Sequence, residues 1–232
     1  MCKIHVTLHD EEHKLSGMQS ISTSVKSNPV CQARIKKALE ENDFDCVCLH
    51  CFAENQLNYK VNLKDHLENN VKALTERLLT DEEIEEINLY TAFVRIESFG
   101  DTRNAIQAMN YLKIIASNPD LRFGVWTKNL AHYVKAFETM GKPENMTLVF
   151  SSSHLNAKEA IPKKWLKWVD HRFTVYDNGE YEKTVDNGSA PCNGISCKSC
   201  GHKCYKKGTF DIAEKVRSKK SEKALKNRKA RI

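Results

Sequence analysis

The sequence has no long hydrophobic run, since no stretch approaches the ~20 apolar residues that a membrane-spanning helix needs. Its N-terminal segment, MCKIHVTLHDEEHKL, places His, Asp and Glu between the apolar side chains, which excludes a secretory signal peptide. A Walker A loop, a G-x-G-x-x-G loop and an H-E-x-x-H motif are also absent, which excludes three common nucleotide-binding and zinc-protease signatures. We therefore expect a cytoplasmic protein with no membrane partner.

Length and composition fit one domain of ordinary size with a small annex. The chain has 232 residues, of which 41% are hydrophobic and 28% are charged, so it can bury a core. Its net charge of +6 is unevenly distributed, because residues 206–232 hold eleven Lys and Arg against three Asp and Glu. The basic character therefore belongs to the C-terminal tail and not to the body of the protein.

Cysteine is the unusual component, with nine residues in the chain. Disulfides are rare in the cytoplasm, and an odd number fits a paired framework poorly. Eight cysteines form two groups separated by residues 52–191, which contain none. We call them the early thiols and the late thiols: Cys31, Cys46, Cys48 and Cys51, then Cys192, Cys197, Cys200 and Cys204. This clustering favours metal ligation, whereas Cys2 is isolated and receives no role.

Strand-like and helix-like segments alternate through the middle of the chain. Strands are predicted at residues 89–96, 121–126, 146–150 and 172–176, and helices at 62–79, from 81 onward, from 101 or 102 to 117, and at 129–140. A less regular helical stretch covers 157–168, and Asp177-Asn178-Gly179 predicts a hairpin that pairs 181–185 with the preceding strand. The alternation predicts an α/β fold with a parallel sheet, and too few units for a closed barrel of roughly 250 residues.

The predicted architecture is therefore a partial, open (β/α) barrel-like sheet. We expect an α/β domain at residues 1–190 that contains the early thiols, a four-cysteine metal segment at 191–205, and a basic tail at 206–232.

Polar residues follow each predicted strand, at the edge where active sites of parallel α/β sheets lie. Gly100 would let a ligand approach the backbone, and Asp101 could accept hydrogen bonds from an ammonium or a ribose hydroxyl. Lys128 could neutralise a carboxylate or phosphate, and Ser151 begins a polar run that ends at His154, a candidate proton carrier. We predict that these five residues bind a cofactor or substrate.

The late thiols occupy the run CNGISCKSCGHKC with C-x4-C-x2-C-x3-C spacing. Four thiols within thirteen residues predict a metal centre, and the first part of the spacing resembles iron–sulfur sites. Zinc is the alternative, because four thiolates suit either metal.

The early thiols include three within the run CVCLHC, which no single helix or strand face can gather. A loop around a metal can gather them, and three ligands would suffice for a 4Fe–4S cluster with one open iron. The chain therefore predicts one or two iron–sulfur clusters, with buried free cysteine as the alternative at the early group.

Several short motifs carry a resemblance to a known family. They are Asn28-Pro29-Val30-Cys31, Cys48-x2-Cys51-Phe52-Ala53, Val94-Arg95-Ile96, Phe99-Gly100-Asp101, Asn118-Pro119, Trp126-Thr127-Lys128-Asn129 and Asn145-Met146-Thr147. With these motifs and the cysteine-rich end, the chain resembles the phage gene product 88 family over roughly residues 15–205. The resemblance implies a phage protein expressed in the cytoplasm of the host cell.

That family is similar in layout to radical S-adenosylmethionine enzymes, which implies an iron–sulfur cluster and an S-adenosylmethionine cofactor. In that layout a cysteine motif follows the first strand, and a Gly-Gly-Glu-like turn after the second strand binds the cofactor amine. Gly100-Asp101 falls at the corresponding place. The usual C-x3-C-x2-C spacing is absent, so either Cys46 or Cys31 is the third ligand beside Cys48 and Cys51.

The basic tail supports a second hypothesis, in which the chain is a metal-stabilised nucleic-acid-binding protein without catalysis. Lys and Arg at this density would neutralise several phosphates in a salt-dependent way, although a tail that only aids solubility is the alternative. No feature of the sequence indicates a substrate or an oligomeric state.

Overall fold

The computed structural model describes residues 3–10, 14–192 and 195–216. Eight strands are present in this part of the chain: β1 (Thr7–Leu8), β2 (Gln19–Ile21), β3 (Phe93–Ile96), β4 (Arg122–Thr127), β5 (Met146–Ser151), β6 (His171–Tyr176), β7 (Ala190–Cys192) and β8 (Phe210–Lys215). Seven α-helices accompany them: α1 (Pro29–Glu40), α2 (Phe52–Gln56), α3 (Val61–Thr75), α4 (Asp81–Glu85), α5 (Ala105–Ala116), α6 (Leu130–Met140) and α7 (Asn178–Asp186). Three short 3₁₀-helices lie at Val47–His50, Lys163–Trp168 and Lys203–Tyr205.

All eight strands form one open sheet with the order β1-β2-β3-β4-β5-β6-β8-β7. Only the β1–β2 pair is antiparallel. From β2 to β6 each strand is followed in space by the next strand in sequence, so right-handed crossovers place their connections on the same face. The predicted α/β class with a parallel sheet is confirmed, and the sheet is open.

One face of the sheet is covered by helices and holds the main core. Ile21, Ile96, Val125 and Leu148 lie side by side in β2, β3, β4 and β5, and all four are fully buried. They belong to one apolar cluster with side chains of α3, α5 and α6. Successive strand residues point to opposite faces, so the residue before each of these four faces away from the helices.

The opposite face, which we call the thiol face, is covered by the segment that carries the late thiols. Tyr205 packs against Gly124 and lies 6.1 Å from the ring of Trp126. His202 stacks on Phe93 of β3, with ring centroids 4.0 Å apart. The hydroxyl of Thr147 in β5 donates a hydrogen bond to a backbone carbonyl of this segment. Both faces of the central strands are therefore buried, as parallel sheets require.

Several predicted elements are confirmed within one to four residues, namely α3, α4, β4, α6 and β5. Thr80 caps α4 in a capping box, because its hydroxyl accepts a hydrogen bond from the amide of Glu83 and the Glu83 carboxylate accepts one from the amide of Thr80. Helix α5 begins later than predicted. Its N-cap is Asn104, and neither Asp101 nor Thr102 takes that position.

The predicted hairpin at Asp177-Asn178-Gly179 is wrong. The Asp177 carboxylate accepts a hydrogen bond from the amide of Glu180 and so begins helix α7. An Asp followed three residues later by Glu is an N-cap signal, and here it prevails over the turn preference of Asn-Gly. The predicted helix at 157–168 is reduced to the 3₁₀-helix Lys163–Trp168, which begins after Pro162.

Strand β1 lies in an N-terminal segment whose Ile4, Val6 and Leu8 predict a strand or extended lead-in, whereas β2, β7 and β8 were not predicted. Strand β8 lies within the segment assigned to the basic tail and pairs with both β6 and β7. The tail proper is therefore shorter than predicted, and residues 217–232 lie outside the described residues. None of the helices in the described ranges combines the length and apolar character needed to cross a bilayer.

Gly124 tests the contact between the sheet and the late-thiol segment. A Cβ atom at Gly124 would lie 2.6 Å from a ring carbon of Tyr205 and 2.7 Å from one of Trp126. We expect Gly124→Ala to lower the free energy of unfolding by about 1–3 kcal/mol, because overpacking forces these rings to move. Urea denaturation followed by circular dichroism measures the change.

Gly179→Ala is the matched control, since its Cβ would meet nothing closer than 3.7 Å within helix α7. We expect it to leave stability unchanged or raise it by up to ~1 kcal/mol. Equal effects of the two substitutions would contradict a tight contact at Gly124.

Candidate functional site

The early thiols lie at the carboxyl ends of strands β2 to β5, which we call the rim. Asn28 follows β2, caps helix α1 through its side-chain oxygen and donates a 2.6 Å hydrogen bond to the carbonyl of Asp101. Cys31 occupies the first turn of α1. One Asn side chain therefore fixes the position of the first thiol relative to the turn that follows β3.

The other early thiols lie on a segment that is bonded to the end of β5. The amide of Val47 donates to the carbonyl of Ser153, and the amide of Leu155 donates to the carbonyl of Asp45, both at 2.8 Å. Cys46 and His154 form an antiparallel bridge between these two segments. Backbone pairing thus brings residues 46–51 to the same edge of the sheet as Cys31.

The early thiols come close together at the rim. Cys31 interacts electrostatically with Cys48 and Cys51, and a hydrogen bond joins Cys46 to Cys48. Burial raises the pKa of Cys31, with Asp101 and the two neighbouring thiols adding to the effect. The hydrogen bond from Cys46 lowers the pKa of Cys48 and raises that of Cys46 itself. Cys31, Cys48 and Cys51 thus influence one another electrostatically, and Cys46 is linked to this set through Cys48.

Two cations lie beside these thiols. Lys128 and Arg34 both act to lower the pKa of Cys48, after the larger effect of Cys46. The Arg34 guanidinium donates to the carbonyl of Lys128 at 3.0 Å and to the side chain of Asn129 at 2.8 Å. Sequence reasoning missed Arg34, because a basic residue on an amphipathic helix has no distinguishing local pattern.

Asp101 is buried and holds the rim together. Its carboxylate accepts hydrogen bonds from the amide of Thr102, the hydroxyl of Thr127 and the amide of Lys128, at 2.7–2.9 Å. Arg34 forms an ion pair with it at 3.7 Å. Both carboxylate oxygens are therefore engaged within the protein, and Asp101 acts here by positioning Lys128 and Arg34.

Lys128 is partly buried and Ser151 is buried, and together they form a polar contact at the rim. The ammonium of Lys128 donates to the hydroxyl of Ser151 at 3.2 Å, across the ends of β4 and β5. Packing alone requires a glycine at position 100, because a Cβ atom there would lie 2.5 Å from the carbonyl oxygen of Thr23. Any contact that Gly100 makes with a ligand must therefore come from its backbone.

His154 is bound on both sides of its ring. Nδ1 lies 2.8 Å from the carboxylate of Glu159, and Nε2 lies 2.8 Å from that of Asp43. The hydrogen bond to Glu159 is the main cause that raises the pKa of His154. The residue joins the segment before Cys46 to the loop after β5, and we assign it to positioning these segments.

A buried carboxylate that the sequence did not reveal holds the loop after β2 to the turn after β3. Glu97 accepts hydrogen bonds from the amide and hydroxyl of Thr23, from Gln107 and from the hydroxyl of Tyr111, at 2.6–3.0 Å. Its backbone is left-handed, with φ 57°. Burial raises the pKa of Glu97 to about 7, although the hydrogen bonds oppose this.

The late thiols gather at a second place, on the thiol face. Cys204 interacts electrostatically with the other three, and burial raises its pKa to about 12. The amide of Cys197 donates to the carbonyl of Lys14, and the chain turns through left-handed Gly201 and His202 before Cys204. Gly194, which together with Gly201 gives the sequence between these thiols its capacity for tight turns, lies outside the described residues.

Neither group forms a finished metal site. Within residues 3–10, 14–192 and 195–216, no three His, Cys, Asp or Glu side chains are arranged so that they could hold a metal ion. All eight cysteines of the two groups are free thiols. Metal ligation by the early and late thiols therefore stays a prediction.

The fold and the site define an α/β protein with one open, mostly parallel sheet. The early thiols lie at its rim and the late thiols lie on its thiol face. A family model described as "Gene product 88" matches residues 10–208. The chain therefore belongs to the phage gene product 88 family, as the sequence motifs indicated. No curated protein and no solved structure matches the chain significantly.

Glu97 gives a test of the buried network. A carboxyl whose folded pKa is raised keeps its proton while the unfolded chain has already released it, so stability falls as pH rises from about 4.5 to about 7. Glu97→Gln removes this ionisation. We expect Glu97→Gln to have a lower free energy of unfolding overall. Across this pH range, that free energy should fall by roughly 1–3 kcal/mol less than it does in the wild type.

Urea unfolding at several pH values measures this slope. Glu138→Gln, the same chemical change at an exposed position of α6, is the control and should leave the wild-type slope unaltered. If the free energy of unfolding of Glu97→Gln depends on pH as it does in the wild type, then Glu97 is already ionised across this whole pH range.

Proposed function

We propose that this protein binds an iron–sulfur cluster at the rim and acts as a radical S-adenosylmethionine-type enzyme. The observation that supports the proposal is the position of two cysteine-bearing segments, the first turn of α1 and residues 46–51, at the carboxyl ends of parallel strands. Active sites of such sheets lie at this edge. Cys31, Cys48 and Cys51 come from these two segments, which the fold has brought together.

The chemistry of the site suits a cluster. Thiolates are the ligands that iron–sulfur clusters use, and Arg34 and Lys128 offset the negative charge that they carry. The hydrogen bond from Cys46 favours the ionised form of Cys48.

Three ligands are favoured over four at this group. Cys31 and Cys51 pack against one small apolar cluster and interact electrostatically, and Cys48 interacts with Cys31 from the edge of a second cluster. Cys46 is buried inside that second cluster with Ile35 and Leu49, so it is the least accessible of the four. Of the two candidates for the third ligand, we therefore choose Cys31. A cluster held by three protein thiolates keeps one iron for a small molecule.

Cys31, Cys48 and Cys51 would hold such a cluster, which would supply electron-transfer chemistry to a bound S-adenosylmethionine. The protein residues around it supply binding and orientation. Lys128 and Ser151 present an ammonium and a hydroxyl suited to the carboxylate of the cofactor. Asp101 fixes the backbone of Lys128, and the backbone at Gly100 lies beside it for the cofactor amine.

The late thiols form a second metal centre in this proposal, with iron–sulfur or zinc as its content. The nucleic-acid-binding alternative depends on the basic tail, whose residues 217–232 lie outside the described part of the chain. No contact in the described residues favours it. Deletion of residues 217–232 with unchanged DNA or RNA affinity and salt slope would exclude the tail from binding.

Anaerobic reconstitution with iron and sulfide tests the proposal. We expect the full chain to take up iron with a visible absorption band, and a serine substitution at Cys31, Cys48 or Cys51 to remove the rim cluster. Millimolar S-adenosylmethionine should alter the spin-resonance signal of the reduced cluster. Cys2→Ser is the matched control and should change neither property.

Loss of the signal change in Lys128→Met, with the iron content retained, would support cofactor binding at the rim. A rim cluster that survives Cys31→Ser but not Cys46→Ser would contradict our choice of ligand. An unaltered spin-resonance signal at millimolar cofactor would count against the enzyme and favour a non-catalytic metal protein.

A further inference from the structure

The 3₁₀-helix Lys163–Trp168 packs one of its three sides against the main core. Side chains three residues apart lie on the same side of such a helix. Trp165 and Trp168 share the side that contacts the core, and the Trp168 ring lies 5.1 Å from that of Phe137. The other two sides carry four exposed residues: Lys163, Lys164, Leu166 and Lys167. The tryptophans therefore anchor this helix and leave its three lysines in the solvent.

The lysines of this helix have no acidic partner. None of the three forms a salt bridge within residues 3–10, 14–192 and 195–216. The ammonium of Lys167 lies 4.7 Å from the centroid of the Trp168 ring, which orients the cation without neutralising it. The nearby Asp170 is already paired with Lys142. The helix therefore presents three positive charges that the protein itself does not balance.

A second basic segment lies at the same edge of the sheet. Lys206 and Lys207 are exposed and precede β8, whose first residue Phe210 pairs with His171 at the start of β6. The Nε2 atom of His171 donates a 2.9 Å hydrogen bond to the carbonyl of Lys206. The ammonium of Lys207 lies 3.5 Å from the carbonyl oxygen of Met146, the first residue of β5. The 3₁₀-helix ends just before β6, so both segments lie at the amino ends of neighbouring strands, opposite the rim.

A groove at this edge contributes a further cation. It has a volume of about 720 Å³, and its lining includes Arg122, Lys207 and Glu144. Arg122 is the first residue of β4 and is exposed. The exposed carboxylates just before β4 and β5 are Asp120 and Glu144, so cations outnumber them here. We call the six cations of this surface the basic edge: Arg122, Lys163, Lys164, Lys167, Lys206 and Lys207.

We propose that the basic edge binds the phosphate backbone of a nucleic-acid duplex without reading its sequence. Unpaired, exposed cations bind phosphates because they displace the counterions that surround a nucleic acid. The surface is not a result of overall composition, since residues 1–205 contain more acidic than basic side chains. Six cations from three segments have instead been placed together by the fold.

The aromatic residues of the helix favour a duplex over other anionic partners. Single strands are held by exposed rings on which bases stack, and surface helices enter a membrane through an apolar face. Trp165 and Trp168 pack against the core and therefore serve neither purpose. Leu166 is the one large apolar side chain that this helix exposes. Contact is thus left to ammonium and guanidinium groups, which suit phosphate.

The basic edge is separate from both the basic tail and the rim. Strand β8 begins at this edge and ends at Lys215, which pairs with Tyr176 at the opposite end of β6. The proposal does not depend on the chemistry of the rim. A duplex bound at the basic edge is a docking partner of the protein and not the substrate of the rim site, because the two lie at opposite edges of the sheet.

Fluorescence anisotropy with a labelled DNA duplex of about 20 base pairs, titrated with the full-length chain at several NaCl concentrations, tests the proposal. The helix variant combines Lys163→Gln, Lys164→Gln and Lys167→Gln. We expect its affinity to fall about tenfold or more, and its logarithmic salt slope to shrink by roughly 2–3, because each phosphate contact contributes ~0.9. Lys206→Gln with Lys207→Gln should reduce the slope by roughly 2.

The matched control removes the same charge elsewhere, through Lys3→Gln, Lys72→Gln and Lys135→Gln at exposed positions. It should keep the wild-type slope and an affinity within about twofold of the wild type. An equal loss in the control and the helix variant would overturn the proposal, since net charge alone would then be the cause. The tail is present in every variant, so it does not contribute to the differences.

Other outcomes would also overturn the proposal. These are a full-length chain that does not bind the duplex, wild-type binding by both basic-edge variants, and tighter binding of a single strand than of the duplex. Binding to phosphatidylserine vesicles that the helix variant loses, without duplex binding, would assign the surface to a membrane. If circular dichroism shows that the helix variant is misfolded, the Lys206 and Lys207 variant decides. The assay contains no S-adenosylmethionine, iron or sulfide, so a failure of the rim proposal leaves it unaffected.

Discussion

The hydrogen bonds to the buried Asp101 carboxylate determine the geometry of the rim. This one side chain receives donors from its own turn and from the end of β4, and Arg34 of α1 lies beside it. Its carbonyl also receives the side chain of Asn28, which starts α1. The first thiol, the two rim cations and the ends of two strands are therefore positioned relative to a single group. An unpaired charge at this depth would be costly, so these partners are held firmly.

The core strands and their helices were readable from the sequence because their patterns are local. The runs at β4 and β5 are apolar and rich in β-formers, and α3 and α6 repeat apolar residues at helical spacing. Strand β2 was not predicted, because its Gln19-Ser20 pair is polar although both residues are buried. Their partners are side chains of other segments, such as Thr91 and His9. A buried polar strand of this kind can be recognised only once those partners are known.

The candidate site was predictable in its elements but not in its contacts. The cysteine groups, Asp101 and Lys128 followed from spacing and from their places after strands. The roles of Asp101 and His154 could not follow, since each depends on partners far along the chain, such as Arg34 and Asp43. Glu97 was missed for the same reason. It reads as an ordinary charged residue after a strand, and only the packing of distant segments makes it buried.

The position of β8 between β6 and β7 has a consequence for biosynthesis. Strands β2 to β6 pair with neighbours made just before them, so they can assemble as the chain leaves the ribosome. Strand β7 pairs only with β8, and the segment between them carries three of the four late thiols. The pairing of β7 therefore waits until Phe210–Lys215 has been synthesised, although the segment itself can already contact Lys14, Phe93 and Thr147. The late thiols are thus enclosed between two paired strands only at the end of synthesis.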